Sequence, residues 1–169
     1  MKKILSIIGV ISLIGTSTTS LIACNTPQYS EEKLKEQKEK HKIDTNNENI
    51  KNHLEWIAPQ EKPFNEVDNK WYYVVCRGNK NDIWEIAKFK NNFKDNKFKV
   101  IKKLKNSELI LLYNMDYGKH LQVGYDIFKK LIPKNINKNY FKSVYRWNLY
   151  TQEPKLDVDK NGNLIFKDE

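Results

Sequence analysis

Cysteine is nearly missing from this chain. Two residues of this type among 169, Cys24 and Cys76, leave no disulfide framework and no four-cysteine zinc site. The three histidines, His41, His53 and His120, are far apart, which argues against a histidine-built metal centre. Arginine is scarcer still. Only Arg77 and Arg146 stand among the 30 basic residues, so the bidentate ligand of specific phosphate readout is almost absent. Six glycines and five prolines exclude collagen-like and proline-rich architectures. No apolar run reaches the roughly 20 residues that a spanning helix needs. A chain of 39% hydrophobic and 30% charged residues remains, enough for about one globular domain with a polar lean.

The net charge is +9. Lysine over arginine, with abundant asparagine and isoleucine, is the composition of an AT-rich genome. The charge therefore reads equally as codon bias and as selection for an anionic partner. It is unevenly placed. Residues 25–65 carry seven Lys/Arg against eight Asp/Glu, and residues 66–169 carry twenty-one against thirteen.

The first 25 residues read as an address. Met1-Lys2-Lys3 is a short basic head, and Ile4–Ile14 is almost wholly apolar, the length of a signal-peptide core. A Ser/Thr stretch follows, and then Leu21-Ile22-Ala23-Cys24. That tetrapeptide has the form of a bacterial lipobox. The Cys24 thiol is the nucleophile that would accept a diacylglyceryl group, and small Ala23 lets a signal peptidase cut between Ala23 and Cys24. Mature protein would then carry palmitate-class chains on Cys24. Each buried acyl CH₂ contributes about 0.8 kcal/mol, so two or more chains hold a protein stably at a bilayer.

The segment Met1–Asn25 resembles the lipoprotein signals of wall-less mollicutes, spiroplasmas in particular. The stretches Lys70–Val75, Trp84 and Tyr140–Trp147 are also similar to small spiroplasma membrane lipoproteins of unassigned function. The resemblance implies a location, the outer face of the plasma membrane, and brings no catalytic residue with it.

Three parts are expected: a signal peptide at 1–23, a lipid anchor and polar stalk at 24–64, and a basic β-rich domain at 65–169. The stalk reading rests on Ser30–Lys42, which has strong helix formers, i,i+4 Glu–Lys pairs and almost no apolar face. Asp44–Asn49 reads as linker. Beyond Phe64 the pattern is β. Trp71–Cys76 and Ile83–Phe89 would form a hairpin across Gly78–Asp82. Phe98–Ile101, Leu109–Tyr113 and Tyr140–Leu149 read as strands, and Tyr125–Ile132 as a short amphipathic helix stopped by Pro133. The expected class is mainly β (or α+β): a small antiparallel meander or barrel-like sheet with one short helix, preceded by a helical or disordered stalk.

Four groups could carry chemistry. The run Lys88–Lys105 holds eight lysines among Phe89, Phe93 and Phe98, and Lys94, Lys97, Lys99, Lys102, Lys103 and Lys105 would form an anion-binding face. The same run also reads as solvated strand lysines that block edge-to-edge aggregation. Asp157, Asp159, Asn161 and Asp168 match the start and end of a calcium loop, D-x-[DN]-x-[DN]-G. Asp168 stands where the bidentate Glu is usual, and Asn161-Gly162 between β-rich segments reads first as a hairpin turn. Asp116 and His120 could pair as acid and base but also read as a polar turn. Cys76 alternates with Val74 and Tyr72 as a small buried residue. No catalytic constellation and no cofactor motif is present. The expected function is a membrane-anchored surface lipoprotein acting as a binding or adhesion module, without catalysis. Its partners would be the plasma membrane, through Cys24, and a surface or host component. Extracellular nucleic-acid or anion binding, associated with nuclease activity, is the alternative.

Overall fold

A computed structural model of the chain describes residues 28–94, 98–114, 118–124 and 139–167. The signal segment with Ala23 and Cys24, the helix expected at Tyr125–Ile132, and Lys97, Asp116 and Asp168 lie outside the described residues. The elements in chain order are α1 (Glu31–Lys40), α2 (Glu48–His53), β1 (Leu54–Trp56), β2 (Trp71–Cys76), β3 (Glu85–Lys90), β4 (Lys99–Lys103), β5 (Glu108–Asn114), β6 (Gly118–Gly124), β7 (Phe141–Trp147), β8 (Leu156–Val158) and β9 (Leu164–Phe166).

β2 organises the fold. Its six residues are aromatic, β-branched or small, and five of them are buried. Side chains alternate across a strand, so Tyr72, Val74 and Cys76 leave one face while Trp71, Tyr73 and Val75 leave the other. A strand that buries both faces reads as a continuous apolar run, and this one does. It lies inside a four-stranded antiparallel sheet of order β1-β7-β2-β3. β2 and β3 form the expected hairpin, with Tyr73 opposite Lys88 and Val74 opposite Ala87. β7 comes back from far along the chain to separate β1 from β2.

Each face of this sheet is covered. On one, Tyr72, Val74, Cys76, Ala87 and Phe89 meet Leu109, Leu111, Leu121 and Val123 from the second sheet, β4-β5-β6, and Leu104 from its β4–β5 turn. On the other, Tyr73, Val75, Tyr145 and Trp147 pack with Ile50, Leu54, Trp56 and Leu164, and Leu34 lies against them. The hairpin β8–β9 adds Leu156, Val158 and Phe166 to this second layer. The class is mainly β and antiparallel, as the pattern predicts. Among the described residues the strands form three antiparallel sheets, and β2 has apolar side chains to bury in both directions.

The expected stalk is different. From Tyr29 to Phe64 the chain packs into the molecule, so no boundary falls at 64/65. β1 is a strand of the central sheet, Glu55 opposite Arg146, and Phe64 is buried among Tyr72 and Phe89. α1 is capped by the Ser30 side chain, which accepts from Lys33 N, with Glu31 and Glu32 in its first turn and Lys38 and Lys40 in its last. It docks mostly through polar contacts. The Tyr145 hydroxyl donates to the His41 carbonyl at 3.1 Å, and the His41 ring stacks on Trp56 at 4.2 Å between centroids. Such docking leaves no apolar stripe in the sequence. The segment read as linker runs into α2, which is capped by Asn47 and pinned by buried Ile50. β6 also replaces part of an expected turn. Gly118, at φ +72°, starts it where any Cβ would collide with the Asn65 amide.

Candidate functional site

The best-built polar cluster lies where α1 meets β1 and β7. Glu55 is at its centre. Arg146, directly across the strand pair, donates from Nη2 at 2.6 Å, and Asn148 Nδ2 donates to the same carboxylate oxygen at 3.1 Å. Lys38 of α1 donates to the other oxygen and also to Glu61 Oε1 at 2.9 Å. Glu61 in turn accepts from the Ala58 backbone at 2.7 Å. Asn148 Oδ1 collects Arg146 Nε at 3.0 Å and Lys70 Nζ at 3.2 Å. Burial alone would raise the Glu55 pKa. Hydrogen bonds from Lys38, Asn148 and Arg146 outweigh it and hold the carboxyl at about 2. Both carboxylate oxygens have cationic partners, so the group acts as a clasp that ties α1 to the sheet. Sequence reasoning missed it. Arg146 was visible as one of two arginines, but its partner is 91 residues away.

A second polar anchor is Asn91, fully buried just after β3. Its Nδ2 donates to the Glu66 carbonyl at 2.8 Å and to Asp68 at 3.1 Å, and its backbone N–H to the Lys70 carbonyl. Asp68 also accepts from the Tyr72 hydroxyl at 2.7 Å. This network fixes the loop between Phe64 and β2. Asn91 sits among lysines and asparagines in the sequence, with nothing to single it out.

Within the described part of the lysine run, Lys88, Lys99 and Lys102 have partners inside the fold. Lys88 pairs with Glu153 at 2.8 Å and lies over the Trp71 ring, on the side of the central sheet away from Ala87 and Phe89. Lys102 donates to the Ile86 carbonyl at 2.8 Å and pairs with Glu85 at 3.0 Å, bridging the two sheets at their β3 and β4 edges. Lys99 lies over Phe93, as does buried Lys119, whose Nζ donates to the Phe93 carbonyl at 2.9 Å. Lys94, Lys103 and Lys105 are exposed. The last two flank Leu104 in the β4–β5 turn, where they line a shallow cleft of about 200 Å³ with Asn106 and Ser107.

The loop at Asp157–Asn163 is a hairpin turn. Asp159 accepts from the backbone of Asn161 at 2.8 Å and of Asn163 at 2.7 Å, and from the Asn163 amide. Lys142 directs its ammonium at the Asn161 carbonyl and at Asn163 Oδ1. Asp157 pairs with Lys167. The oxygens that would face a cation are already bonded to N–H groups, among them the ammonium groups of two lysines, Lys142 and Lys167. Gly162, at φ +78°, closes the turn against Trp84, and a Cβ there would lie 2.5 Å from the indole. Arg77 stacks on the same indole at 4.2 Å. Among the described residues, no three His, Cys, Asp or Glu side chains gather as metal ligands.

His120 lies on β6 opposite Leu112, its Nδ1 3.2 Å from the Gly118 carbonyl. Cys76 is fully buried, and burial pushes its thiol up to about 12, the range of an inert core cysteine. A second cleft, about 280 Å³, is lined by Tyr73, Ile86, Lys88, Pro154, Lys155 and Leu156. No helix among the described residues is long and apolar enough to cross a membrane. Comparison of the chain with protein-family models, with curated proteins and with solved structures finds no match.

Proposed function

We propose that the chain is a surface lipoprotein, anchored by acyl chains on Cys24, whose β-rich domain serves as a binding or adhesion module. The observation that carries this reading is the N-terminal order of basic head, eleven-residue apolar core and Leu21-Ile22-Ala23-Cys24. The shape of the domain is in keeping with it. Its most strongly perturbed carboxylate, Glu55, is engaged in a structural clasp, and the two clefts described among these residues, about 200 and 280 Å³, lie below the roughly 300–1,000 Å³ of small-molecule pockets. Recognition through the outer surfaces of its layers suits such a body better than engulfing a substrate.

Metabolic labelling with an alkyne fatty acid tests the anchor. The expected outcome is a labelled chain in which Cys24 is the first residue, and a label that disappears in Cys24→Ser. Label retained in that variant removes the proposal. Anion capture is the second reading, because Lys99 and Lys102 of the run already have partners within the fold. A titration with single-stranded oligonucleotide separates the two, since phosphate contacts give a salt slope of about −0.7 each.

A further inference from the structure

Tyr29 is pinned at the very start of the described chain. Its backbone N–H donates to Gln60 Oε1 at 2.6 Å, and Gln60 Nε2 donates back to the Tyr29 carbonyl at 3.0 Å. The Tyr29 ring packs on the second core layer, and α1 is clasped to β1 immediately afterwards. Cys24 is only five residues before Tyr29. Five residues span at most about 17 Å when fully extended.

We infer that the folded domain lies directly against the lipid surface, held by the five-residue tether from Cys24 to the Tyr29–Gln60 latch, with the turn at 58–61 and the first turn of α1 nearest the bilayer. This inference rests on the proposed lipid anchor. A free stalk of some forty residues would let the domain stand well off the membrane, but from Tyr29 onward the residues that would form it are built into the fold. The partner is a phospholipid surface without headgroup preference, because the rim around the latch mixes Glu31 and Glu32 with Lys33 and Lys62. Proximity comes from the tether, not from charge. The surfaces far from the latch are then the ones offered to other partners.

The test uses the lipid-modified full chain in phosphatidylcholine vesicles that carry a dansyl lipid. Trp56, Trp71, Trp84 and Trp147 are the energy donors. A second form carries twenty Gly/Ser residues inserted between Thr26 and Pro27, which adds a root-mean-square reach of about 25 Å. Both forms should float with the vesicles, and energy transfer should fall at least twofold on insertion. Adding phosphatidylserine should leave both values unchanged. Flotation with transfer that the insertion does not alter overturns the tether and leaves the anchor standing. Transfer that requires phosphatidylserine overturns it too, in favour of charge. A wild-type chain that does not float, or a Cys24→Ser chain that floats equally well, overturns the anchor itself.

Discussion

At the scale of single residues, the molecule is held by a few polar groups in places where burial makes their pairing matter. Glu55 is the clearest. Its folded pKa, about 2, lies below that of a free carboxylate. Its ionised form therefore stabilises the fold at pH values above the unfolded pKa, and this contribution is lost as pH falls from about 4.5 towards 2. The depression, from 4.5 to about 2, corresponds to roughly 3 kcal/mol, for a side chain 24% exposed. Urea melts across that window should show the wild type losing stability on acidification. Glu55→Gln should start about 2 kcal/mol lower at pH 7 and show a flatter acid limb, because Lys38 and Arg146 lose their shared counter-charge. An acid limb as steep in Glu55→Gln as in the wild type would assign the acid sensitivity to other carboxylates.

At the scale of elements, α1 is the instructive case. It has a capped start, complementary end charges and little apolar surface, and alone a ten-residue helix is marginal in water. Its stability comes from what it touches: Leu34 on the second core layer, Lys38 on Glu55 and Glu61, and His41 on Trp56. Deleting residues 28–42 should therefore uncover Trp56 and Tyr145 and lower stability by at least about 2 kcal/mol, on the scale of one core side chain exposed. Thermal melts followed by tryptophan fluorescence would read this. A true stalk would leave the midpoint unchanged. β1 makes the same point from the other side. Three residues have no strand signal of their own, yet pairing of Leu54 and Trp56 with Trp147 and Tyr145 makes them part of the central sheet.

At the scale of the whole molecule, one strand is the wall of both cores. Tyr72 and Tyr73 are neighbours in sequence, each essentially fully buried, yet they belong to opposite layers. Loss of either layer exposes β2, so the layers should unfold together. Tyr72→Ala and Tyr73→Ala should each lower a single transition by about 3–5 kcal/mol, the range for large aromatic truncations. Fluorescence and far-UV circular dichroism should coincide in both variants. Two separated transitions in either one would show the layers to be independent.

Local chemistry was readable in advance wherever it is complete within a few residues. The alternation in Trp71–Cys76 and its hairpin partner, the Asn161-Gly162 turn, the buried role of Cys76 and the mainly β class all follow from side-chain period and turn geometry. Those depend only on near neighbours. The packing of residues 29–64 against the sheet, the partners of Lys88 and Lys102 and the Glu55 clasp were decided by tertiary structure. A lysine looks the same in sequence whether it faces water, a carbonyl across two sheets or a carboxylate on a distant helix. Lys102 and Lys38 differ from Lys103 and Lys105 only through residues far from them along the chain. Polar docking leaves no periodicity behind, because its energy lies in the pairing of particular groups and not in the repeated burial of one face.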